Sequence, residues 1–149
     1  MPPASTDPNP NALDQLAVDL RVSLLRTARR LRAQKSVDEL SDAQFSVLAH
    51  LFTQGPRTPG ELAEAEHVRP PSMTRTIAGL VEQGLVARTD HPDDGRQVLI
   101  SISAPGREVV EETRARRAAW LSRRLQTLTD AERATLAEAA RILRTVISE

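Results

Sequence analysis

Two short stretches of the sequence concentrate side chains that can donate hydrogen bonds. The first, RPPSMTRT (residues 69–76), contains two arginines and three hydroxyl groups, and the second, HPDDGRQ (residues 91–97), ends in an arginine and a glutamine. Arginine forks, short hydroxyls and amides are the groups that bind phosphate oxygens and base edges of nucleic acids. A solvated protein surface carries the same residue types, so the elements that hold the two stretches must decide between these interpretations.

Catalytic or metal chemistry has much weaker support. The adjacent acids Asp93 and Asp94 precede Gly95, and this order is a turn preference before it is a site. There is no glycine-rich phosphate loop and no meaningful Ser/His/Asp spacing. The sequence contains no cysteine, which excludes disulfides and thiolate metal sites, and its histidines lack metal-ligand spacing. We therefore expect no enzyme activity, no metal and no cofactor.

Composition fits one ordinary globular domain. The chain has 149 residues, of which 40% are hydrophobic and 27% charged, with a formal net charge of zero. Zero net charge argues against a protein that coats nucleic acid, although it leaves room for a local basic face. No apolar run reaches the roughly 18 residues of a membrane span, and the first ten residues do not resemble a signal peptide. These features predict a cytoplasmic protein that does not bind membranes.

Helical signals precede and contain the first stretch. After a proline-rich tail (residues 1–11) that we expect to be disordered, apolar residues recur at helical spacing over residues 12–34. Ser41–Gln44 and Thr58–Glu61 have the pattern of capping boxes, and each begins a short helix. A third helix opens at Pro70 or Pro71, where its N-terminus adds backbone amides, and it ends at Gly84, a typical C-terminal cap residue.

The second stretch joins two predicted strands. Residues 85–89 form the first, and residues 97–103 alternate between apolar and mixed positions, which is typical of a strand. The intervening HPDDG has turn chemistry, so the two strands form a hairpin with a longer loop. A lone hairpin is barely stable in water, so we expect this one to pack on the helices.

The remainder of the chain is predicted to be helical. Pro105 lies near the start of a long helix, and Thr129–Glu132 is a third capping box. The last helix carries apolar residues at heptad-like spacing over residues 136–147. The whole chain is therefore mostly α with one small β-hairpin.

Three short helices followed by a hairpin form a winged helix-turn-helix, which we assign to residues 38–103. In such a domain the third helix enters the major groove of DNA and the hairpin tip, or wing, reaches the backbone or minor groove. The predicted DNA-binding residues are Arg69, Pro71, Ser72, Thr74, Arg75, Thr76, Arg96 and Gln97. Asp94 and Gly95 are predicted to support the wing, with Asp94 either orienting Arg96 or bracing the turn.

Two segments resemble the MarR family of dimeric winged-helix repressors: TRTIAGLVEQGLVAR (residues 74–88) and DHPDDGRQVLISISAPGRE (residues 90–108). The family's wing has an aspartate, a variable residue, an arginine, a short apolar strand, Leu-Thr and a glycine. The corresponding positions here are Asp94, Gly95, Arg96, residues 98–102, Ser103 and Gly106, with serine where threonine is commoner. The resemblance covers the chain from about Leu13 to Ile147.

The resemblance implies a homodimer on a pseudo-palindromic operator. Residues 12–34 and 104–149 would form a helical dimerisation domain. The apolar stripes of the first and last helices agree with this, since a small winged helix cannot cover them. The alternative is that they pack on each other within one chain. The predicted interface residues are Leu13, Leu16, Leu20, Leu136, Leu143 and Ile147.

The resemblance also implies a small effector, since many relatives bind aromatic acids between the DNA-binding and dimerisation parts. In some relatives an arginine contributes to such a site, and this chain has Gly79 at the corresponding position, which argues against that part of the site. The candidate pocket residues are Phe45, Phe52, Thr74, Arg88 and Trp120, and ordinary packing is the alternative for the aromatic ones. We thus predict a sequence-specific DNA-binding regulator, a repressor released by a small ligand such as an aromatic acid. The alternative function is a winged-helix module for protein–protein contact.

Overall fold

The computed structural model describes residues 10–147. The described elements are α1 (Pro10–Arg32), α2 (Asp42–Gln54), α3 (Pro59–Ala65), α4 (Pro70–Glu82), β1 (Val86–Asp90), β2 (Val98–Ile102), α5 (Ala104–Leu125) and α6 (Asp130–Val146). The predicted fold class is confirmed, since the chain is mostly helical with one antiparallel hairpin between α4 and α5. Within the described part, every helix is too short or too polar to cross a membrane.

The chain divides into two compact units, one that ends at Ala33 and one that begins at Gln34. In the first unit, α1 begins two residues before the predicted position, because a proline fits the first helical turn, where no amide is needed. Pro10 and Asn11 therefore belong to α1 rather than to the predicted tail, whose other residues lie outside the described part. Arg29, Arg30 and Arg32 occupy the last turn of α1.

The second unit contains the hydrophobic core of the winged helix-turn-helix. The three predicted capping boxes are all present, at Ser41, Thr58 and Thr129. Each fixes the start of a helix because it satisfies two backbone amides that have no partner inside the helix. The core lies between α2, α3, α4, the hairpin and one face of α5. Its fully buried apolar side chains include Leu40, Leu48, Leu51, Leu62, Met73, Ile77, Leu80, Ile100 and Val110.

Helices α3 and α4 are each followed by a residue with positive φ. After α4, Gly84 has φ 68°. The Gly84 amide donates to the Val81 carbonyl, and the Leu85 amide donates to the Leu80 carbonyl. This is a Schellman cap, so the predicted role of Gly84 is confirmed. His67 closes α3 with φ 52°, a left-handed conformation that few residues other than glycine adopt.

The hairpin is paired in the register Val86↔Ile102 to Asp90↔Val98. The first strand begins one residue later than predicted, because the Leu85 amide is already used to close α4. The second strand also pairs with Arg57, which lies outside the hairpin, and the sequence did not predict this pairing. The amide and carbonyl of Arg57 both bond to Ile100, at 3.1 and 2.8 Å, so β2 is held on both sides. This pairing and the complete burial of Ile100 explain how a two-stranded hairpin is stable here.

Candidate nucleic-acid interface

Helix α4 has one buried face and one free face. Met73, Ile77 and Leu80 are buried, which turns the other side of the helix outward. The structure places Arg69, Pro71, Ser72, Thr74 and Arg75 on exposed positions and Thr76 on a half-buried one. Among the described residues, the side chains of Ser72 and Arg75 have no hydrogen-bond partner. A polar helix face of this kind, anchored by an apolar one, is available to an external ligand.

The backbone at the start of α4 offers less than expected. Residues 70 and 71 are prolines and have no N–H, and the Ser72 amide donates to the Arg69 carbonyl at 3.0 Å. The expected contribution of amides from this first helical turn is therefore wrong for residues 70–72. Binding at this helix end has to come mainly from side chains.

The two threonine hydroxyls of α4 use their protons within the helix and can only accept hydrogen bonds from a ligand. Thr74 Oγ1 donates to the Pro70 carbonyl at 3.0 Å, and Thr76 Oγ1 donates to the Ser72 carbonyl at 3.1 Å. A hydroxyl has one proton and two lone pairs, so each oxygen still accepts. In the major groove, such an acceptor matches the exocyclic amines of adenine and cytosine.

The wing turn is organised by Asp94. Its two carboxylate oxygens accept from the Arg96 amide at 3.1 Å and from the Gln97 side-chain amide at 3.0 Å. These bonds lower the pKa of Asp94, the Arg96 amide being the larger cause. The Arg96 side chain is exposed and has no hydrogen-bond partner among the described residues. The contacts of Asp94 are thus those of a brace for the turn, and Gln97, predicted to bind DNA, is engaged in it.

Gly95 has no comparable contact. A Cβ added there would meet nothing within 4 Å, and its backbone is not left-handed. The structure therefore gives no steric reason for glycine at this position.

The base of the wing locks three elements together. The Ser103 hydroxyl donates to the Gly84 carbonyl at 2.6 Å and accepts the Gly106 amide at 3.1 Å. The Ser103 amide donates to the Leu85 carbonyl at 3.0 Å. At Gly106, an added Cβ would lie 2.2 Å from the Leu85 carbonyl oxygen. Only glycine permits this approach, which joins the end of α4, the wing and the start of α5.

The candidate ligand residues fall into two groups. Three arginines of α5 lie over the aromatic rings. The distance from the guanidinium Cζ to the ring centroid is 4.3 Å for Arg117 and Phe45, 4.8 Å for Arg114 and Phe52, and 5.3 Å for Arg124 and Trp120. Thr74 lies on α4 and Arg88 on β1, both exposed. Among the described residues, no hydrogen bond or ring contact joins the two groups.

Two further observations concern ligand space. A Cβ at Gly79 would lie 2.7 Å from Gln44 Nε2, so a larger side chain fits there only if Gln44 moves. A cavity of about 430 Å³ lies between α2 and α3 and is lined by His50, Thr53, Gln54, Arg57, Glu61, Glu64 and Ala65, none of which was a predicted pocket residue. Within the described part, no three His, Asp or Glu side chains come together as metal ligands would.

The candidate interface residues are largely uncovered. On α1, Leu13, Leu16 and Leu20 are 56%, 54% and 40% exposed. Leu136 of α6 is 46% exposed, and Ile147, the residue directly after α6, is 80% exposed. Leu143 is half-buried. No residue of α6 is buried, so the single chain leaves the apolar side of this helix largely open.

The fold and the two exposed donor regions can be compared with known proteins. The model of the MarR family matches residues 40–98. An HTH-type transcriptional regulator of Mycobacterium bovis is 45% identical over 91% of this chain and 94% of its own length. The HTH-type transcriptional repressor MdtR of Bacillus subtilis is 32% identical over 80% of this chain and 79% of its own. The crystal structure of a MarR mutant from Escherichia coli aligns with a TM-score of 0.74 and 28% identity, over 89% of this chain and 96% of that one.

Proposed function

The chain belongs to the MarR family of helix-turn-helix transcriptional regulators, and on this premise we propose that it is a homodimeric repressor of a pseudo-palindromic operator. Regulators of this family bind DNA and act as dimers. The comparisons point to a family of regulators and not to a family of enzymes. In the proposal, residues 38–103 bind DNA, and residues 12–34 and 104–149 form the dimer. The assignment of a repressor is supported by the similarity to MdtR, which is named as one.

One observation carries the proposal: two exposed arginines without partners stand on two elements that are locked together. Arg75 projects from the free face of α4, and Arg96 projects from the wing. The Ser103 and Gly106 contacts tie the end of α4 to the base of the wing. A recognition helix in the major groove would therefore carry the wing with it towards the flanking minor groove, where a narrow A·T tract attracts arginine.

Dimerisation would supply a second DNA-binding domain. Two-fold symmetry presents two recognition helices to two half-sites, and so accounts for a palindromic operator. The uncovered apolar residues of α1 and α6 support this part of the proposal, since contiguous exposed apolar surface marks interfaces.

The charge of the DNA-binding region constrains how it binds. Residues 38–103 contain five arginines, no lysine and ten acidic residues. Non-specific affinity for DNA comes from neutralised phosphates, so this domain should bind random DNA weakly. Its affinity for an operator would then depend on base contacts and on the two exposed arginines.

The alternative, a winged helix that contacts another protein, is not favoured by the comparisons, whose relatives are named as transcriptional regulators. The two functions differ in their response to salt, because phosphate binding releases counterions and protein contact need not.

A small effector belongs to the proposal as well. The arginines of α5 that stack on Phe52 and Phe45 combine apolar ring surface with guanidinium groups, the chemistry that holds an aromatic carboxylate. An aromatic acid bound there would release the operator.

The test begins with selection of bound duplexes from a random DNA library. On the selected duplex, Arg96→Ala should weaken binding clearly and reduce the slope of log affinity against log salt by about one phosphate contact per wing. Arg123→Ala, which removes an exposed charge from α5, is the matched control and should bind like wild type. The loss of affinity caused by Arg96→Ala should be smaller on an operator whose flanks are changed from A·T to G·C.

Failure to enrich any duplex would contradict sequence-specific DNA binding. A variant at Arg96 that binds as tightly as wild type on A·T flanks would leave the wing a structural hairpin and favour the protein-contact function.

A further inference from the structure

Two side chains organise the turn of the wing, and the second of them is His91. The Asp93 amide donates to His91 Nδ1 at 3.2 Å, while the Arg96 amide donates to the Asp94 carboxylate at 3.1 Å. The His91 amide donates to the Gln97 carbonyl at 3.1 Å, and the Gln97 amide donates to the Asp94 carbonyl at 2.9 Å. His91 therefore holds the first half of the turn, and Asp94 holds the half that carries Arg96.

The hydrogen bond at Nδ1 fixes the protonation state of the His91 ring. An imidazole nitrogen that accepts a hydrogen bond uses its lone pair, so the ring is neutral and its single proton is on Nε2. In the doubly protonated ring both nitrogens are donors. The Nδ1 proton would then face the proton of the Asp93 amide. The bond between His91 and Asp93 therefore exists only while the ring is neutral.

Helix α3 places one acidic group within electrostatic range of His91. The amide and hydroxyl of Thr58 are the main causes that lower the pKa of Glu61, and the charges of Arg57 and His91 lower it further. The Glu61 carboxylate already accepts the Thr58 amide at 2.7 Å. Glu61 thus favours a charged His91 ring, and Arg57 offsets part of that attraction.

The acidic group in the turn itself is Asp94. The Arg96 amide is the largest cause that lowers the pKa of Asp94, the Gln97 side chain is the next, and the charge of His91 contributes as well. A protonated His91 would lose the Asp93 amide and would be attracted to the carboxylate that braces Arg96. Acid therefore removes one brace of the turn and competes for the other.

We infer that neutral His91 is a positioning residue for DNA binding, which fixes the turn that presents Arg96, and that protonation of its ring weakens operator binding. The inference rests on the proposed function, in which Arg96 enters the minor groove. Arg96 is exposed, so only the shape of the turn decides where its side chain starts. The apparent affinity falls with the fraction of molecules that hold the binding-competent shape, and a turn with one brace holds that shape less of the time.

Three substitutions separate the possible roles of the ring. His91→Asn keeps a neutral acceptor for the amide two residues further on, as asparagine does in an Asx-turn, but it does not titrate. His91→Ala removes the acceptor. His50→Gln is the matched control, because it removes one of the three imidazoles of the chain from α2, outside the wing.

Each protein is titrated against the selected operator from about pH 8 to about pH 5.5 at constant ionic strength, where histidine is the side chain that ordinarily changes charge. At the upper pH, His91→Asn should bind within about twofold of wild type, and His91→Ala about fivefold more weakly, the value of one ordinary hydrogen bond. The ratio of the affinity at the upper pH to that at the lower pH should be at least about threefold larger for wild type and His50→Gln than for either variant at His91.

A second measurement tests whether the ring acts through Arg96. In the Arg96→Ala background the side chain that the turn presents is absent, so His91→Ala should cost less than about twofold in affinity. An equal cost in both backgrounds would mean that His91 contacts the DNA itself, and it would overturn the positioning role. If His91→Ala does not fold, the pH profile of His91→Asn decides alone.

The outcomes keep the inference apart from the function on which it rests. Absence of wild-type binding to any selected duplex contradicts the proposed function itself. Wild-type binding with the same pH dependence as His91→Asn overturns the role of His91 and leaves the function standing. Loss of the pH dependence in His50→Gln would assign it to α2, and this result would overturn the inference as well.

Discussion

Gly106→Ala tests whether the base of the wing is packed as closely as the structure shows. The new Cβ would lie 2.2 Å from the Leu85 carbonyl oxygen and 2.8 Å from Ile102 Cγ1. The oxygen belongs to the backbone and accepts the Ser103 amide at 3.0 Å, so it has little freedom to move. Either α5 shifts away from the hairpin by about 1 Å or more, or the Ser103–Leu85 bond breaks.

The expected cost follows from three contributions. Overpacking of a closely packed site destabilises by about 1–3 kcal/mol, and one lost hydrogen bond adds about 1 kcal/mol. Replacement of glycine by alanine within a helix returns about 0.5–1 kcal/mol. The free energy of unfolding should therefore fall by about 1–3 kcal/mol in total.

Urea denaturation at one fixed protein concentration measures this loss, because a dimer's stability depends on concentration. Gly60→Ala is the matched control. Gly60 is also in the first turn of a helix, but the nearest atom to its added Cβ is Thr58 Oγ1 at 3.9 Å, so this variant should be as stable as wild type or slightly more so. Equal stability of the two alanine variants would refute the close approach of α5 to Leu85.

The remaining predictions concern the dimer, sequence reading and acid stability. Leu136→Arg places a charge on the exposed side of α6 and should yield monomers in sedimentation at micromolar concentration; an unchanged dimer would remove α6 from the interface. Arg75→Ala should cost about 1–3 kcal/mol of operator binding, concentrated at one base position if the contact is bidentate to guanine, and titration against operator and scrambled duplexes measures it. The Thr58 amide and hydroxyl lower the pKa of Glu61 below 4.5, so its stabilisation is complete above that pH and is lost as the pH falls through the folded value. Glu61→Gln should therefore flatten the loss of stability in acid, which urea denaturation across a pH series measures.

Local signals in the sequence predicted the elements well. The capping boxes at Ser41, Thr58 and Thr129 and the glycine cap at residue 84 each rest on neighbouring residues, so their pattern is visible in a short window of sequence. The alternation over residues 97–103 is equally local. The error of one residue at the first strand came from competition for a single amide, that of Leu85, which a strand pattern cannot show.

Contacts between distant residues were not predictable in the same way. Arg57 pairs with Ile100 across 43 positions of sequence through backbone atoms alone, and backbone pairing leaves no signature in the side chains. Ser36 and Thr113 are ordinary residues for a surface, and only the fold shows that their hydroxyls lie 2.9 Å apart and that Thr113 is buried. Gly106 was visible as part of the wing pattern, but its steric reason required the position of the Leu85 carbonyl.

The contacts at the base of the wing restrict which motions can serve regulation. Ser103 binds the carbonyls of Gly84 and Leu85 at the end of α4 and also caps α5 through the Gly106 amide. A shift of α5 at this point would therefore move the wing base and the end of α4 together. Because such packed junctions resist gradual deformation, an effector could not easily turn the recognition helix while the wing stays still. Beyond Gly106, the buried Val110 and the Arg114 guanidinium over the Phe52 ring also hold α5 to this domain, so the start of α5 and the base of the wing form one continuous packed junction.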